Sequence, residues 1–143
     1  MFTGTYNNSI DEKNRMIIPS KYRDGLGLRC VLTKGLDKGC LYIFPMQEWE
    51  SFTDVLSELP AFDVNSRNLM RHFYANAAEC DIDKQGRIII PQDLREYANI
   101  EKDLVTVGFR NKIEVWSKEA LNSTEKIEPN EVAQKLFEIG IKI

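Results

Sequence analysis

Two arginines, Arg15 and Arg87, each stand four residues after an aspartate, in Asp11-Glu-Lys-Asn-Arg15 and Asp83-Lys-Gln-Gly-Arg87. A guanidinium carries five donors in a planar fork, which matches guanine O6 and N7 bidentately and also suits phosphate oxygens. The same fork can close on Asp11 or Asp83 as an ion pair that merely fastens a turn. Five donors allow both uses at once, so the two readings stay open together. Lys13 and Lys84 fall at the tips of these turns, where a phosphate contact and a plain solvated lysine are equally reasonable. Asp11 and Asp83 repel phosphate and are better suited to capping, with the side chain bonding the backbone two residues on.

Catalytic chemistry is not signalled. There is one histidine, His72, and no nucleophile elbow, Walker loop or paired metal-ligand spacing, so no set of residues fills the roles of base, nucleophile and stabiliser. His72 reads as a surface or interface residue. The three cysteines, Cys30, Cys40 and Cys80, lack CxxC spacing and read as reduced, half-buried packing residues rather than zinc ligands or a disulfide framework. No metal, cofactor or small-molecule substrate is expected.

The two Asp–Arg turns belong to an internal repeat. Asp11-Glu-Lys-Asn-Arg-Met-Ile-Ile-Pro19-Ser-Lys-Tyr-Arg23 aligns with Asp83-Lys-Gln-Gly-Arg-Ile-Ile-Ile-Pro91-Gln-Asp-Leu-Arg95 at an offset of 72. A gapless continuation sets Leu41, Ile43 and Phe44 opposite Ile113, Val115 and Trp116. Two copies follow, residues 5–47 and 77–119, with a helical insert at 48–76 and a helical tail at 120–143.

Each copy predicts the same elements. A strand (5–10; 77–82) enters the Asp turn, where Asn14 or Gly86 supplies a residue type that tolerates positive φ. A second strand (15–18; 87–90) is rich in β-branched and long apolar residues. Pro19 or Pro91 ends it, because proline cannot donate to a ladder and pre-sets φ for a helical turn. A short helix (20–25; 92–98) and two further strands (30–34 and 40–44; 104–109 and 112–116) complete the unit. Asp11, Asn14, Pro19, Asp83, Gly86 and Pro91 are thus the turn-structuring residues.

In the insert, Trp49, Phe52, Leu56 and Leu59 recur at helical spacing, which predicts a helix over 47–59 stopped by Pro60. A second helix is expected over 65–76, with Leu69, Phe73 and Ala77 on one side. In the tail, Pro129 opens a helix to 139 with Val132, Leu136 and Ile139 as its apolar stripe. One four-stranded unit buries too little surface to stand alone, so two units sharing a core as a pseudo-two-fold pair are expected.

The 143 residues are 43% apolar, enough for a folded core, with no run near the roughly 18 apolar residues of a membrane span and no charged-then-apolar leader. A cytoplasmic protein is expected. The net charge of −3 argues against an overall basic footprint. The charge is uneven, however: residues 11–40 hold seven Lys/Arg against four Asp/Glu, and 83–118 seven against six, whereas 41–82 hold two against seven. The basic excess therefore lies in the two repeats.

A doubled Asp-x-x-x-Arg turn followed by three apolar residues, Pro and a short helix resembles the SpoVT-AbrB superfamily of DNA-binding domains. The full layout resembles the MraZ family in particular. It shares the opening Met-Phe-x-Gly, the twin motifs, the helical insert with Glu48-Trp49, and Glu114-Val115-Trp116-Ser117. The resemblance covers residues 1–120. It implies an α+β, mainly β fold, a pseudo-two-fold swapped-hairpin, double-psi-like barrel made jointly by both repeats. It also implies a nucleoid-associated transcriptional regulator, mainly a repressor of a cell-division and cell-wall gene cluster, that binds G-rich direct repeats in double-stranded DNA as a ring-shaped homo-oligomer.

DNA contact by Lys13, Arg15, Lys84 and Arg87 rests mostly on that resemblance. Asn14 departs from the glycine the family favours, whereas Gly86 keeps it. Arg23 and Arg95 read as partners of acidic groups within the barrel or between subunits. One chain has few phosphate-facing cations, and a ring would multiply them through linked binding. The competing reading is a non-enzymatic oligomeric interaction scaffold. In it the Asp–Arg motifs are turn chemistry alone, and both arginines point inward.

Overall fold

The computed structural model describes residues 1–143. The first repeat contributes β1 (Thr5–Ser9), β2 (Arg15–Ile17), α1 (Ser20–Leu26), β3 (Arg29–Lys34) and β4 (Leu41–Pro45). The insert holds α2 (Met46–Ser57) and α3 (Val64–Tyr74). The second repeat contributes β5 (Ala78–Asp81), β6 (Arg87–Ile89), α4 (Gln92–Tyr97), β7 (Asp103–Phe109) and β8 (Lys112–Ser117), and the tail α5 (Lys118–Asn122) and α6 (Pro129–Glu138). The class is mixed α+β, built on an antiparallel sheet of six strands.

The strands pair across the repeats. The six-stranded order is β1-β7-β8-β4-β3-β5, and β2 pairs with β6 in a separate two-stranded ladder. Each repeat's first strand therefore finds its partner in the other repeat. At the centre Leu41 faces Val115 and Ile43 faces Ile113, residues that exchange under the 72-residue offset, so a pseudo-dyad passes between β4 and β8. The β2–β6 ladder has the same symmetry: Ile18 N–H donates to Gly86 O and Ile90 N–H to Asn14 O.

The repeat is not gapless as expected. Pairings Asn8↔Leu104 and Cys80↔Cys30 are equivalent only if β3 maps onto β7 at an offset of 74. The first repeat has two residues fewer between α1 and β3 and two more in the β3–β4 turn, so the strands on either side regain the offset of 72. Compensating changes of this kind are absorbed in surface connections, which tolerate them better than strands do.

The core lies between the large sheet, the β2–β6 ladder and the two short helices. Met16, Ile18, Ile88 and Ile90 point into it beside Tyr22, Leu94, Leu32, Leu41, Ile43 and Ile113, all fully buried. A second cluster on the other side of the sheet joins Tyr42, Phe44 and Trp116 to Trp49 and Phe52 of α2. There Phe44 and Phe52 stack with centroids 5.4 Å apart. α3 begins at Asp63, whose side chain accepts from Ser66 N–H, an N-cap of the kind that satisfies an orphan donor. Of its expected stripe Phe73 is buried, but Leu69 is half exposed.

His72 is not free on the surface. Its Nε2 lies 2.8 Å from Gly35 O and its ring meets Phe73 edge-on, holding α3 to the β3–β4 turn. The cysteines are buried rather than half-buried, Cys30 and Cys40 completely and Cys80 with a small exposed edge. α5 was not anticipated; Ser117 caps it by accepting from Ala120 N–H. α6 has no buried residue; of its apolar stripe Val132 and Ile139 are exposed and Leu136 is half-buried. No helix is long and apolar enough to cross a membrane.

Candidate nucleic-acid interface

Each Asp–Arg turn is built by one carboxylate. Asp11 Oδ1 accepts from Lys13 N–H and Arg15 N–H, both at 2.9 Å, and Oδ2 accepts from Arg15 Nε at 2.8 Å. Asp83 repeats this with Gln85 N–H at 3.0 Å, Arg87 N–H at 2.9 Å and Arg87 Nε at 2.8 Å. The backbone closes both turns, with Asp11 N–H to Arg15 O and Asn14 N–H to Asp11 O in the first, and the same pairs in the second. Donation from the backbone N–H of Arg15 and of Arg87 holds the two carboxyls below their ordinary range, because hydrogen bonds to the charged form favour it.

The fourth turn residue takes positive φ in both copies, +62° at Asn14 and +77° at Gly86. Asparagine is among the few side-chain-bearing residues that enter this region readily. Gly86 has a second reason to lack a side chain. Arg23 of the other repeat crosses it so closely that an added Cβ would lie 2.4 Å from Nε. Arg23 Nε donates to Ile18 O at 3.0 Å, and Arg95 Nε to Ile90 O at 2.9 Å. These arginines therefore tie each strand's end to its helix, and within the chain their partners are carbonyls rather than acidic groups. Pro19 and Pro91 sit at the N-caps of α1 and α4 with φ of −51° and −56°.

Strand alternation decides where Arg15 and Arg87 point. Successive residues face opposite sides, and Met16 and Ile88 are buried. Arg15, Ile17, Arg87 and Ile89 must therefore share the outer face. The pairing Arg15↔Ile89 and Ile17↔Arg87 makes the two arginines diagonal neighbours, about 7–8 Å apart at Cα. Their side chains are 25% and 24% exposed, while Ile17 and Ile89 are 47% and 61% exposed. Because Asp11 and Asp83 occupy the Nε edge, the Nη1/Nη2 end of each fork is the part turned outward. Arg87 Nη2 also donates to Gln85 Oε1 at 3.1 Å, and both Nη atoms of Arg15 lack a protein partner.

Lys13 and Lys84 are exposed at the two tips but at different turn positions, third and second, so Lys84 matches Glu12 and Lys13 matches Gln85. The second tip is accordingly the more cationic. The exposed isoleucines were missed as site residues. Their signal was present in the sequence, since Ile17 and Ile89 each lie two residues after the arginine and share its face.

Fold and site together define a tandem-repeat α+β protein whose two repeats interleave their strands and present paired arginines on one shared ribbon. The family model of the MraZ protein, described as antitoxin-like, matches residues 1–72 and again residues 73–133. Relatives named "Transcriptional regulator MraZ" are 46% identical in Clostridium beijerinckii and 48% identical in Clostridium tetani, each over 99% of this chain and 100% of the relative. One from Pediococcus pentosaceus is 44% identical over the same shares. The chain belongs to the MraZ family. The solution structure of PHS018 from Pyrococcus horikoshii, 14% identical, covers 80% of this chain and 88% of its own at a TM-score of 0.32, too low to bear on the fold.

Proposed function

We propose that this chain is a non-enzymatic, sequence-specific regulator of transcription whose β2–β6 ribbon enters the major groove of double-stranded DNA. The observation that carries the reading is the outer face of that ribbon. Two arginines, each held on its Nε edge by an aspartate, turn the other edge of the fork outward between two exposed isoleucines. The major groove admits a two-stranded β-ribbon, guanine O6 and N7 accept an arginine fork, and a thymine methyl accepts an apolar contact. Lys13 and Lys84 at the tips suit the phosphates flanking the groove. The relatives' name supports regulation of transcription.

In the finer reading the strands close as a pseudo-two-fold swapped-hairpin barrel formed from repeats 5–47 and 77–119. Several copies form a ring in the cytoplasm, at the nucleoid. The ring binds G-rich direct repeats and mainly represses the cell-division and cell-wall gene cluster. One ribbon neutralises few phosphates, and the chain is acidic overall, so useful affinity calls for several ribbons on one assembly.

Fluorescence anisotropy on the DNA upstream of the protein's own gene, against scrambled DNA and over a salt series, tests this. Folded Arg15→Ala and Arg87→Ala variants should each bind the upstream DNA less tightly, with its preference over scrambled DNA lost where the contact is to a base. The loss should be about 1–3 kcal/mol if the contact is to guanine, or a salt slope shallower by about 0.9 if it is to phosphate. Equal, weak binding of the wild type to both DNAs would instead favour the scaffold reading.

A further inference from the structure

Cys30 and Cys80 lie far apart in the chain and directly opposite each other across the β3–β5 pair. We propose that they form a reversible dithiol–disulfide pair, closed by a peroxide-class oxidant, that covalently joins edge strand β5 to β3 just ahead of the second Asp–Arg turn.

The register sets the geometry. Ile82 N–H donates to Leu28 O, which makes Leu28–Ile82 a hydrogen-bonded pair. Such pairs alternate along an antiparallel ladder, so Cys30–Cys80 is one as well. Opposed residues place their Cβ atoms about 4.5–5.5 Å apart, and a disulfide needs about 3.5–4.5 Å. A hydrogen-bonded pair lies at the wider end of that range, so closure draws β5 inward by about 1–2 Å. β5 can follow, because it is four residues long and ends the sheet. The residual strain makes the bond easily reduced, which is the property of a regulatory disulfide rather than a structural one.

Chemistry distinguishes the two thiols. Cys80 lines an open pocket with Glu79, Asp81, Ile89 and Pro91, whereas Cys30 has no exposed surface. Cys80, which borders that pocket, is therefore the thiol a peroxide reaches, and its thiolate attacks first. It attacks one oxygen of the peroxide and breaks the O–O bond, giving Cys80 sulfenic acid and hydroxide. Cys30 sulfur then attacks the sulfenic sulfur, forms the S–S bond and expels a second hydroxide. Two protons from the thiols convert both hydroxides to water. The thiols lose two electrons and the peroxide gains them.

The pair is not imposed by the repeat. At the equivalent place in the first repeat Asn8 faces Leu104, and Asn8 Nδ2 donates to Ile17 O much as Cys80 Sγ approaches Ile89 O at 3.9 Å. Asparagine is therefore a residue that this fold already accommodates at the Cys80 position. Cys40 lies in the other apolar cluster, with its thiol pushed up by burial and by Glu114, and serves as an internal control. The proposal is independent of DNA binding.

The test treats the full chain with hydrogen peroxide, alkylates the remaining thiols, and maps peptides without reduction. Expected are a loss of two hydrogens, a Cys30–Cys80 linked peptide, full reversal by dithiothreitol and an unmodified Cys40. Cys30→Ser should leave a dimedone-reactive sulfenic acid on Cys80, and Cys80→Asn should abolish both products. Oxidation of Cys80 onward to sulfinic acid without linkage, or recovery of both thiols unlinked in the folded wild type, would overturn the proposal. The wild-type map decides the matter even if the Cys30 variant fails to fold.

Discussion

Replacing Gly86 by alanine should cost far more stability than an exposed turn normally would, because two separate penalties meet there. An L-residue held at φ near +77° costs about 1–2 kcal/mol. The new Cβ would also stand 2.4 Å from Arg23 Nε and 2.5 Å from Cζ, well inside the roughly 3.5 Å of ordinary contact. Arg23 must swing away and give up its bond to Ile18 O, worth about 1 kcal/mol. The sum is about 2–3 kcal/mol, which for a chain of this size lowers the melting temperature by roughly 6–12 °C. Urea unfolding followed by the fluorescence of Trp49 and Trp116 gives the free energy directly. A double-mutant cycle tests the cause. Arg23→Ala should cost about 1 kcal/mol less in the Gly86→Ala background than in the wild type, since the bond is already lost there. A Gly86→Ala cost under about 0.5 kcal/mol, or strictly additive costs for the pair, would refute the reasoning. Asn14→Gly, by contrast, should stay within about 0.5 kcal/mol of the wild type, because asparagine already tolerates the conformation.

Met16→Ala and Ile88→Ala, on the inner face of the ribbon, should each cost about 2–5 kcal/mol in the same unfolding assay. Ile17→Ala and Ile89→Ala, on the outer face, should cost under about 1 kcal/mol and act on DNA binding instead. Because both turn aspartates have depressed pKa values, their stabilisation is complete above the ordinary aspartate value near 3.9. It is lost as pH falls through the lowered folded value. Asp11→Asn and Asp83→Asn together should flatten the acid limb of a stability–pH curve, and an unchanged limb would count against that origin. Removing residues 129–143 should leave the monomer's unfolding free energy within about 0.5 kcal/mol, since no residue of α6 is buried within the chain. A larger loss at higher protein concentration would show that the tail contributes between copies.

The local elements were largely legible because their signals are local. The helix expected over 47–59 spans Met46–Ser57, and that over 65–76 spans Val64–Tyr74. The doubled Asp-x-x-x-Arg spacing announced two like turns, and proline marked where each strand gives way to a helix. α5 was missed because a five-residue helix carries almost no periodicity. The gap hidden in the repeat was missed because two residues lost before β3 and two gained after it leave the outer alignment unchanged. The stripes of α3 and α6 show the limit of periodicity: Leu69 is 51% exposed and Ile139 71%, because spacing says which residues share a face but not whether anything covers it.

By itself, the sequence determined the duplication, the alternation that sets Arg15 and Ile17 against Met16, and the aspartate that orders each turn. These follow from covalent spacing and from hydrogen bonds spanning four residues. Only the tertiary structure decided that β2 pairs with β6 rather than within its own repeat, that Arg23 rather than solvent occupies the space over Gly86, and that Cys30 meets Cys80. Each of those contacts joins residues fifty or more positions apart. Strand propensity is indifferent among partners, so the choice falls to whichever pairing buries both apolar faces in one core.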